Sequence, residues 1–347
     1  MPSYVAGKPP VERPGLTTYK LSSNENPYPP LPGVVEAAVS ATARMNRYPD
    51  AANADLYDAL AKAYGVPLDD LALSTGAVAL IYQLLSAYAG PGDEVVYAWR
   101  SFEAYPIAVL AAGATSVQVP LRADGHHDLD AMAAAVTERT KVIFVCTPNN
   151  PTGPSVTQAE LDAFLAKVPS HVVVAVDEAY CEFVRMEDAV DGIATYRRHA
   201  NVVVLRTFSK AYGLAGFRVG YAVAPAPIAA TLRAMALPFG VNLVAQAAAV
   251  ESLHRKAELL ERVDALVAER TRVVLACREA GWDMPDAQGN FVWFGFPGEP
   301  DRIAAFVAAA EERGIVVRPL GDDGVRVSVG EEEANTRLIE LAREFPH

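Results

Sequence analysis

The sequence has few of the features that define a secreted, zinc-binding or membrane-spanning protein. Its 347 residues include only three cysteines, Cys146, Cys181 and Cys277, which are far apart and form no CxxC pair. This spacing argues against a disulfide framework and against a zinc knuckle. The N-terminus has no apolar core of signal-peptide length, and no window reaches the roughly 20 apolar residues of a membrane span. We therefore expect a protein of the reducing cytoplasm.

Basic clusters and nucleotide-binding loops are also missing. The formal net charge is −12, and no basic cluster is longer than Arg197-Arg198, so nucleic acid and anionic membranes are not expected partners. The chain has no G-x-G-x-x-G that opens a helix directly after a strand and no G-x-x-x-x-G-K-[ST]. This absence disfavours a Rossmann oxidoreductase.

Metal-ligand patterns are scarce as well. The sequence His126-His127-Asp128 follows an Asp124-Gly125 turn, and no other ligand cluster is visible. Neighbouring side chains diverge, so three consecutive residues make a poor ligand set. We predict a surface loop here and no metal site.

The overall composition of the chain indicates one large domain and one smaller one. Hydrophobic residues make up 51% of the chain and charged residues 21%, which is typical of a compact protein with a large core. Residues 1–32 hold eight prolines and predict an extended arm rather than a helix or a sheet strand.

In residues 33–238, short β-branched runs alternate with alanine-rich helical stretches, which predicts an α/β domain with a mainly parallel central sheet and helices on both faces. Residues 239–347 mix fewer helices and strands, as in a small α+β domain. The predicted strands of the larger part are 95–97, 116–119, 142–146, 172–176, 202–205 and 219–222, and the smaller part has a long helix at 246–279, a strand in 290–296, a helix near 301–313 and strands at 316–318 and 325–329.

Three predicted strands end in polar residues. The runs TPNNPTG, DEAY and RTFSK follow them and bring Asn150, Asp177, Tyr180 and Lys210 to strand ends. Each run alone also fits turn, capping or surface chemistry. Ligands of open α/β sheets bind at the carboxyl ends of the strands, and buried charged groups need partners, so we expect these side chains to share one cleft.

A possible phosphate site lies at the start of the helix in LSTGAVALIYQLLSAY. Free N–H groups at Gly76, Ala77 and Val78 would suit a phosphate. With Ser209 and Arg218 nearby, backbone, hydroxyl and guanidinium groups would together form a phosphate cup.

Six motifs in chain order carry a resemblance to a known family. SNENP, RYPD, TPNNPTG, DEAY, TFSKAYGLAGFRVG and VRVSVG resemble those of fold-type I aminotransferases that use pyridoxal phosphate, and the match runs from Asn24 to Gly330. More narrowly, they resemble the branch that contains histidinol-phosphate and aromatic-amino-acid aminotransferases. The resemblance implies a cofactor-binding large domain and an N-terminal arm that packs with the small domain.

The same resemblance implies roles around the cofactor ring. Lys210 corresponds to the lysine that holds pyridoxal phosphate as a Schiff base and then moves a proton. Asp177 corresponds to the carboxylate that pairs with the ring nitrogen. Asn150 and Tyr180 correspond to the residues that bind the ring's 3′ oxygen, and Phe102 to the aromatic residue stacked on the ring; ordinary core packing is the alternative for Phe102.

The resemblance also implies the phosphate ligands and a homodimer. Thr207, Ser209 and Arg218, with the helix start at Gly76, correspond to the residues that hold the phosphate. Tyr48 corresponds to a tyrosine that reaches the phosphate from the neighbouring subunit, which implies active sites shared between two subunits.

Four residues are implied at the substrate. Arg326 corresponds to the arginine that clamps the α-carboxylate, and Arg318 lies on a nearby strand, where its charge could instead serve the structure. Histidinol-phosphate enzymes commonly have a phenolic residue where this chain has Phe239 and another where it has Asn26. A pocket with fewer phenolic donors favours an aromatic amino acid, with phenylalanine first, over a phosphorylated substrate.

The expected reaction is therefore transamination between an aromatic amino acid and 2-oxoglutarate. A histidinol-phosphate aminotransferase of histidine biosynthesis is the alternative. A related pyridoxal-phosphate decarboxylase would share the lysine, the aspartate and the phosphate cup, but it would need its substrate carboxylate to leave.

Overall fold

Twelve strands in three sheets organise the part of the chain that the structure describes. The structure is a computed structural model that describes residues 7, 9 and 14–346. In chain order the strands are β1 Tyr19–Lys20, β2 Leu71–Ser74, β3 Glu94–Trp99, β4 Thr115–Pro120, β5 Thr140–Cys146, β6 Val173–Asp177, β7 Val202–Thr207, β8 Gly220–Val223, β9 Phe291–Gly295, β10 Ile315–Val316, β11 Arg318–Leu320 and β12 Gly324–Ser328.

Twelve α-helices accompany these strands in the same described residues. They are α1 Pro32–Thr42, α2 Ala54–Tyr64, α3 Ala77–Tyr88, α4 Ala104–Ala111, α5 Leu129–Ala134, α6 Gln158–Leu165, α7 Gly192–Arg198, α8 Ala226–Met235, α9 Leu243–His254, α10 Lys256–Glu279, α11 Pro300–Glu312 and α12 Glu332–Glu344. None of them is both long and apolar enough to cross a bilayer.

The central sheet has seven strands in the order β2-β8-β7-β6-β5-β3-β4. Its inner strands are apolar on both faces because helices cover both sides. Ile143 and Val145 of β5 lie in one core cluster with residues of α6 and α9, whereas Phe144 and Cys146 lie in another with residues of α3 and α4. The predicted α/β class, with helices on both faces of the sheet, is confirmed.

One edge of the central sheet collects the strand ends. Strand β8 is antiparallel to both of its neighbours, and the other pairs are parallel, so β2 runs in the same direction as β5, β6 and β7. Asp177, at the end of β6, lies opposite Cys146 of β5 and Leu205 of β7. Strand β2 was not among the strands predicted from the sequence, and its four residues lead directly to the start of α3.

A second unit is built on the antiparallel sheet β11-β12-β9. Residues of α11, α12 and the C-terminal half of α10 pack on it in a separate hydrophobic cluster. Leu21 of the N-terminal segment belongs to the same cluster. The domain limits 1–32, 33–238 and 239–347 remain predictions.

The N-terminal segment departs from the predicted purely extended arm. Tyr19 and Lys20 form β1, which pairs in parallel with Ile315 and Val316 of β10. The predicted strand 316–318 is in fact two strands that belong to different sheets, because β11 pairs with β12 instead. Most of the first 13 residues of the predicted arm lie outside the described residues.

The predicted helix 246–279 is wrong as a single element. The chain forms α9 and α10 with a break at Arg255, whose φ and ψ are −99° and 26°. Ala245 of α9 and Leu259 and Val263 at the start of α10 lie in the core of the central sheet, whereas Val273 and Cys277 further along α10 lie in that of the small sheet. A continuous apolar helical pattern reveals neither the break nor this change of packing partner, which occurs within α10.

Gly220 provides a test of how tightly β8 fits against the start of α3. A Cβ at this position would come 2.5 Å from Ala77 N and 2.8 Å from Gly76 C, and these backbone atoms cannot move independently. We expect Gly220→Ala to destabilise the protein by about 1–3 kcal/mol, measured by thermal and urea unfolding. Gly216→Ala is the matched control, because nothing lies within 4 Å of its Cβ. Equal stabilities of the two variants would contradict this packing.

Candidate active site

A cavity of about 310 Å³ lies at the carboxyl edge of the central sheet. Most of the predicted site residues line it: Ala77, Val78, Phe102, Asn150, Asp177, Tyr180, Thr207, Ser209, Lys210, Arg218 and Arg326. They come from the central sheet and the segments that follow its strands, from β12 of the small sheet and from the start of α3. The ends of the central strands therefore share one cleft, as expected.

Lys210 follows β7 and presents its amine to the cavity. Its Nζ donates a hydrogen bond to the carbonyl oxygen of Ser23 at 3.1 Å and lies 5.7 Å from the centre of the Tyr180 ring. Burial, with a smaller contribution from the positive charge of Arg326, lowers the pKa of Lys210 to about 7. A substantial fraction of this amine is thus neutral and nucleophilic near pH 7.

Asp177 is the last residue of β6 and is almost completely buried. Its Oδ2 accepts a hydrogen bond from the hydroxyl of Tyr105 at 2.7 Å, and its Oδ1 accepts one from the Ala179 N–H at 3.2 Å. Burial raises the pKa of Asp177 to about 6, against the lowering effect of these two hydrogen bonds. A carboxylate in this position is suited to pairing with a cationic group in the cavity.

A hydrogen-bond network joins Asn150, Tyr180 and Arg326 beside the lysine. Arg326 Nη1 donates to Asn150 Oδ1 at 2.6 Å, and Asn150 Nδ2 donates to the Tyr180 hydroxyl oxygen at 3.4 Å. Asn24 Nδ2 also donates to this oxygen, at 3.0 Å. Because the oxygen accepts from two amides, the Tyr180 proton is available to a third partner. Burial raises the pKa of Tyr180 above its ordinary value, which keeps the phenol protonated.

The N-terminal segment holds this network to the small sheet. Arg326 Nη2 donates to the carbonyl oxygen of Ser22 at 2.9 Å. The hydroxyl of Ser328 accepts from the Asn24 N–H at 2.7 Å and donates to Asn24 Oδ1 at 3.0 Å. Asn24 adopts a left-handed backbone with φ of 52°, which asparagine tolerates better than most residues.

The residues of the predicted phosphate cup lie together on one side of the cavity. Arg218 Nη1 donates to the Ser209 hydroxyl at 3.2 Å. The guanidinium packs against the backbone at Gly76, where a Cβ would come 2.7 Å from Arg218 Nη2. Gly76 has a φ of 92°, a conformation that favours glycine. Within the described residues, no side chain caps the start of α3, so its first N–H groups are available to an anion.

Apart from Gly76, which borders the cavity through its contact with Arg218, four predicted site residues do not line the cavity of this chain. The Asn26 side chain donates to the Ala211 carbonyl oxygen at 2.9 Å and accepts from the Tyr28 N–H at 3.0 Å. The Arg318 guanidinium forms an ion pair with Glu103 at 2.7 Å. The remaining two, Tyr48 and Phe239, stack on each other with ring centres 4.5 Å apart. Tyr48 is 81% exposed.

The prediction of a surface loop at 126–128 is wrong for His127. This side chain is 4% exposed, and its Nε2 lies 3.1 Å from Asn149 Oδ1. The Ser101 hydroxyl donates to the same oxygen at 2.7 Å. Burial lowers the pKa of His127 to about 4, so the imidazole is neutral. Asp128 instead caps α5 by accepting from the Ala131 N–H.

Several residues at the cavity did not emerge from the sequence. Tyr105 lies behind Asp177, and its only sequence signal was its place in RSFEAYP, three residues after Phe102. The cavity also has an apolar wall in which Ile81 of α3 and Ile107 of α4, neither of them predicted, accompany Val78. Apolar helix residues that face a cavity cannot be told from core residues by periodicity.

Comparisons with known proteins agree with this geometry. The profile of the family described as aminotransferase class I and II matches residues 17–341. The aromatic amino acid aminotransferase of Streptomyces avermitilis is 57% identical, over 99% of this chain and 95% of that protein. The enzyme of the same name from Streptomyces coelicolor is 56% identical, over 99% and 95%. The crystal structure of histidinol-phosphate aminotransferase from Sinorhizobium meliloti in complex with pyridoxal-5'-phosphate has a TM-score of 0.88 and 27% identity, over 95% of this chain and 90% of that one.

The buried amine of Lys210 gives a pH-dependent prediction. Since its pKa is lowered to about 7, its reaction with a small amine-specific reagent in ligand-free protein should reach half its maximum rate near that pH. Peptide mass spectrometry after timed labelling over a range of pH measures this rate. A Lys210 midpoint near the value of an unperturbed lysine, about 10.4, would contradict the lowered pKa.

Proposed function

Because the chain belongs to the aminotransferase class I and II family, we propose that it transfers the amino group of an aromatic amino acid, phenylalanine above all, to 2-oxoglutarate with pyridoxal phosphate as cofactor. The observation that carries this proposal is a single cavity lined by Lys210, by Asp177 and by an apolar wall.

The three free cysteines, two of them buried, support a reducing compartment, the cytoplasm.

The residues of the cavity fit pyridoxal phosphate. The contact between Arg218 and the backbone of Gly76 leaves a concave site bordered by N–H groups of α3 and the hydroxyl of Ser209, which suits a phosphate dianion. The Asp177 carboxylate would face the ring nitrogen, and Phe102 would contact the ring face. The Tyr180 hydroxyl, which already accepts from Asn24 and Asn150, can donate its proton to the ring's 3′ oxygen.

When bound, the cofactor would supply an aldehyde carbon that takes up the amino group and a protonated ring that withdraws electrons from the substrate Cα. Lys210 would hold the cofactor covalently until substrate arrives. Its free Nζ would then accept the proton from the substrate Cα and later return it, which requires a neutral amine near working pH. The lowered pKa of Lys210, about 7, meets this requirement.

Arg326 would bind the substrate α-carboxylate. Its guanidinium is 8% exposed and is oriented by hydrogen bonds from Nη1 to Asn150 and from Nη2 to the Ser22 carbonyl. A fixed, buried guanidinium offers a planar pair of donors to a carboxylate. This clamp favours reactions that retain the carboxylate, as transamination does, over decarboxylation.

The apolar wall supports an aromatic side chain over a phosphorylated one. Val78, Ile81 and Ile107 offer no donor to a second phosphate. The cations among the described lining residues are Lys210, Arg218 and Arg326, and each already has a role toward the cofactor or the α-carboxylate. A substrate phosphate would therefore be desolvated without a matching charge.

We also propose a homodimer whose subunits share their active sites. Tyr48 is 81% exposed and stacks on Phe239, which is 42% exposed. Met45 and Leu237, close to them in sequence, are 79% and 71% exposed, and exposed apolar side chains of this kind suit a protein interface. In a dimer, Tyr48 would reach the phosphate of the neighbouring subunit.

The half-reaction tests the proposed substrate. We expect phenylalanine to convert the purified holoenzyme to its pyridoxamine form, seen as a change in cofactor absorbance, and histidinol phosphate to do so at least about tenfold less efficiently. Arg326→Gln should raise the KM for phenylalanine, and Arg337→Gln, at an arginine remote from the cavity, is its control.

Conversion by histidinol phosphate alone would contradict the aromatic assignment, and release of carbon dioxide would indicate a decarboxylase. A wild-type protein without a cofactor chromophore would contradict the whole proposal.

Mixing inactive variants tests the shared site. Lys210→Ala and Tyr48→Ala should each be impaired, but their hybrid dimer has one site with both native residues if Tyr48 acts across the interface. After unfolding and refolding of an equal mixture, we expect about a quarter of wild-type activity. The control pair Lys210→Ala with Asp177→Asn should show no recovery, because both residues belong to the same subunit's site. Absence of recovery in the first mixture would place Tyr48 elsewhere.

A further inference from the structure

Tyr105 contacts two of the residues that would face the cofactor ring. It lies on α4 and is fully buried. Its hydroxyl donates to Asp177 Oδ2 at 2.7 Å. Its ring lies edge-on to Phe102, with centres 5.6 Å apart and planes at 85°, and stacks on Phe144 at 4.5 Å. Ring packing thus holds the hydroxyl in place against the carboxylate.

We propose that Tyr105 is a positioning residue that keeps Asp177 ionised and aimed at the ring nitrogen of the cofactor, and thereby favours the protonated ring. The inference rests on the proposed function and extends it to a residue that touches neither substrate nor cofactor nitrogen. Tyr105 acts entirely through the Asp177 carboxylate.

The direction of this hydrogen bond is set by the chemistry of its partners. Burial, together with the negative charge of Asp177, raises the pKa of Tyr105 well above its ordinary value, so the phenol remains a donor. Burial also raises the pKa of Asp177, and the Tyr105 hydroxyl is the largest opposing influence. Among the described residues, Cys146, Glu178 and Tyr180 also interact electrostatically with Asp177, and none of these three is a cation; Lys210 and Arg326 line the same cavity.

Loss of the Tyr105 hydroxyl would therefore move a proton. Asp177 and the ring nitrogen of the bound cofactor would compete for one proton. With the hydroxyl, the carboxylate would be stabilised and the proton would stay on the nitrogen. Without it, the proton would shift toward the carboxyl group and leave a neutral ring, which would withdraw electrons from the substrate less effectively.

The test uses Tyr105→Phe holoenzyme loaded with cofactor labelled with ¹⁵N in the ring. We expect the ¹⁵N chemical shift to report deprotonation of the ring nitrogen at a pH about one unit lower than in wild type, as loss of one charge-assisted hydrogen bond implies. The kcat for phenylalanine should fall about tenfold, in line with a shift of that size, while KM stays near the wild-type value.

Tyr97→Phe is the matched control. Tyr97 is also fully buried and lies 5.7 Å from the Tyr105 ring, but its hydroxyl accepts from Gln118 at 3.1 Å. This variant should titrate like wild type. An unchanged ¹⁵N titration in Tyr105→Phe, with or without a lower Tm, would overturn the inference. A wild-type protein that binds no cofactor would instead overturn the proposed function.

A second variant covers the case in which Tyr105→Phe does not fold. Replacement of Tyr105 by 3-fluorotyrosine keeps the shape of the side chain and makes the phenol more acidic, hence a stronger donor. We expect the ring nitrogen to hold its proton to a higher pH than in wild type. A titration that is unchanged or shifted to lower pH would overturn the inference.

Discussion

The parallel register of β5, β6 and β7 is the constraint on which the site depends. Pairing of Asp177 with Cys146 on one side and Leu205 on the other places the carboxylate at the centre of the sheet edge, where water is excluded. The chain must then leave each strand in the same direction. Lys210, Asn150 and Tyr180 consequently converge on one cavity although they are distant in sequence.

Burial of these polar groups is tolerated because each has a partner. Asp177 accepts from Tyr105 and from a backbone N–H, and Arg326 donates to Asn150 and to a backbone carbonyl. Lys210 donates to a backbone carbonyl, and burial together with the positive charge of Arg326 lowers its pKa, which reduces its charge. The same desolvation therefore acts in opposite ways on the two groups, raising the pKa of the acid and lowering that of the base.

The sequence predicted much of this arrangement because strand ends and glycine turns leave local signals. Runs such as VVVAVD followed by polar residues indicated the edge that carries Asp177 and Lys210. Interactions between distant segments left no such signal. The pairing of Tyr19 with β10 and the burial of His127 against Asn149 both depend on which surface a segment meets, and this is decided by tertiary packing.

The segment from β1 to Asn24 links the small sheet to the central sheet. Pairing of β1 with β10, and the bonds from Ser22 and Asn24 to Arg326 and Ser328, attach this segment to the small unit. Its other contacts, from Asn24 to Tyr180 and from the Ser23 carbonyl to Lys210, reach the central sheet. A rotation of the small unit would carry Arg326 and this segment together, and it would change the hydrogen bonding of Lys210 at the same time.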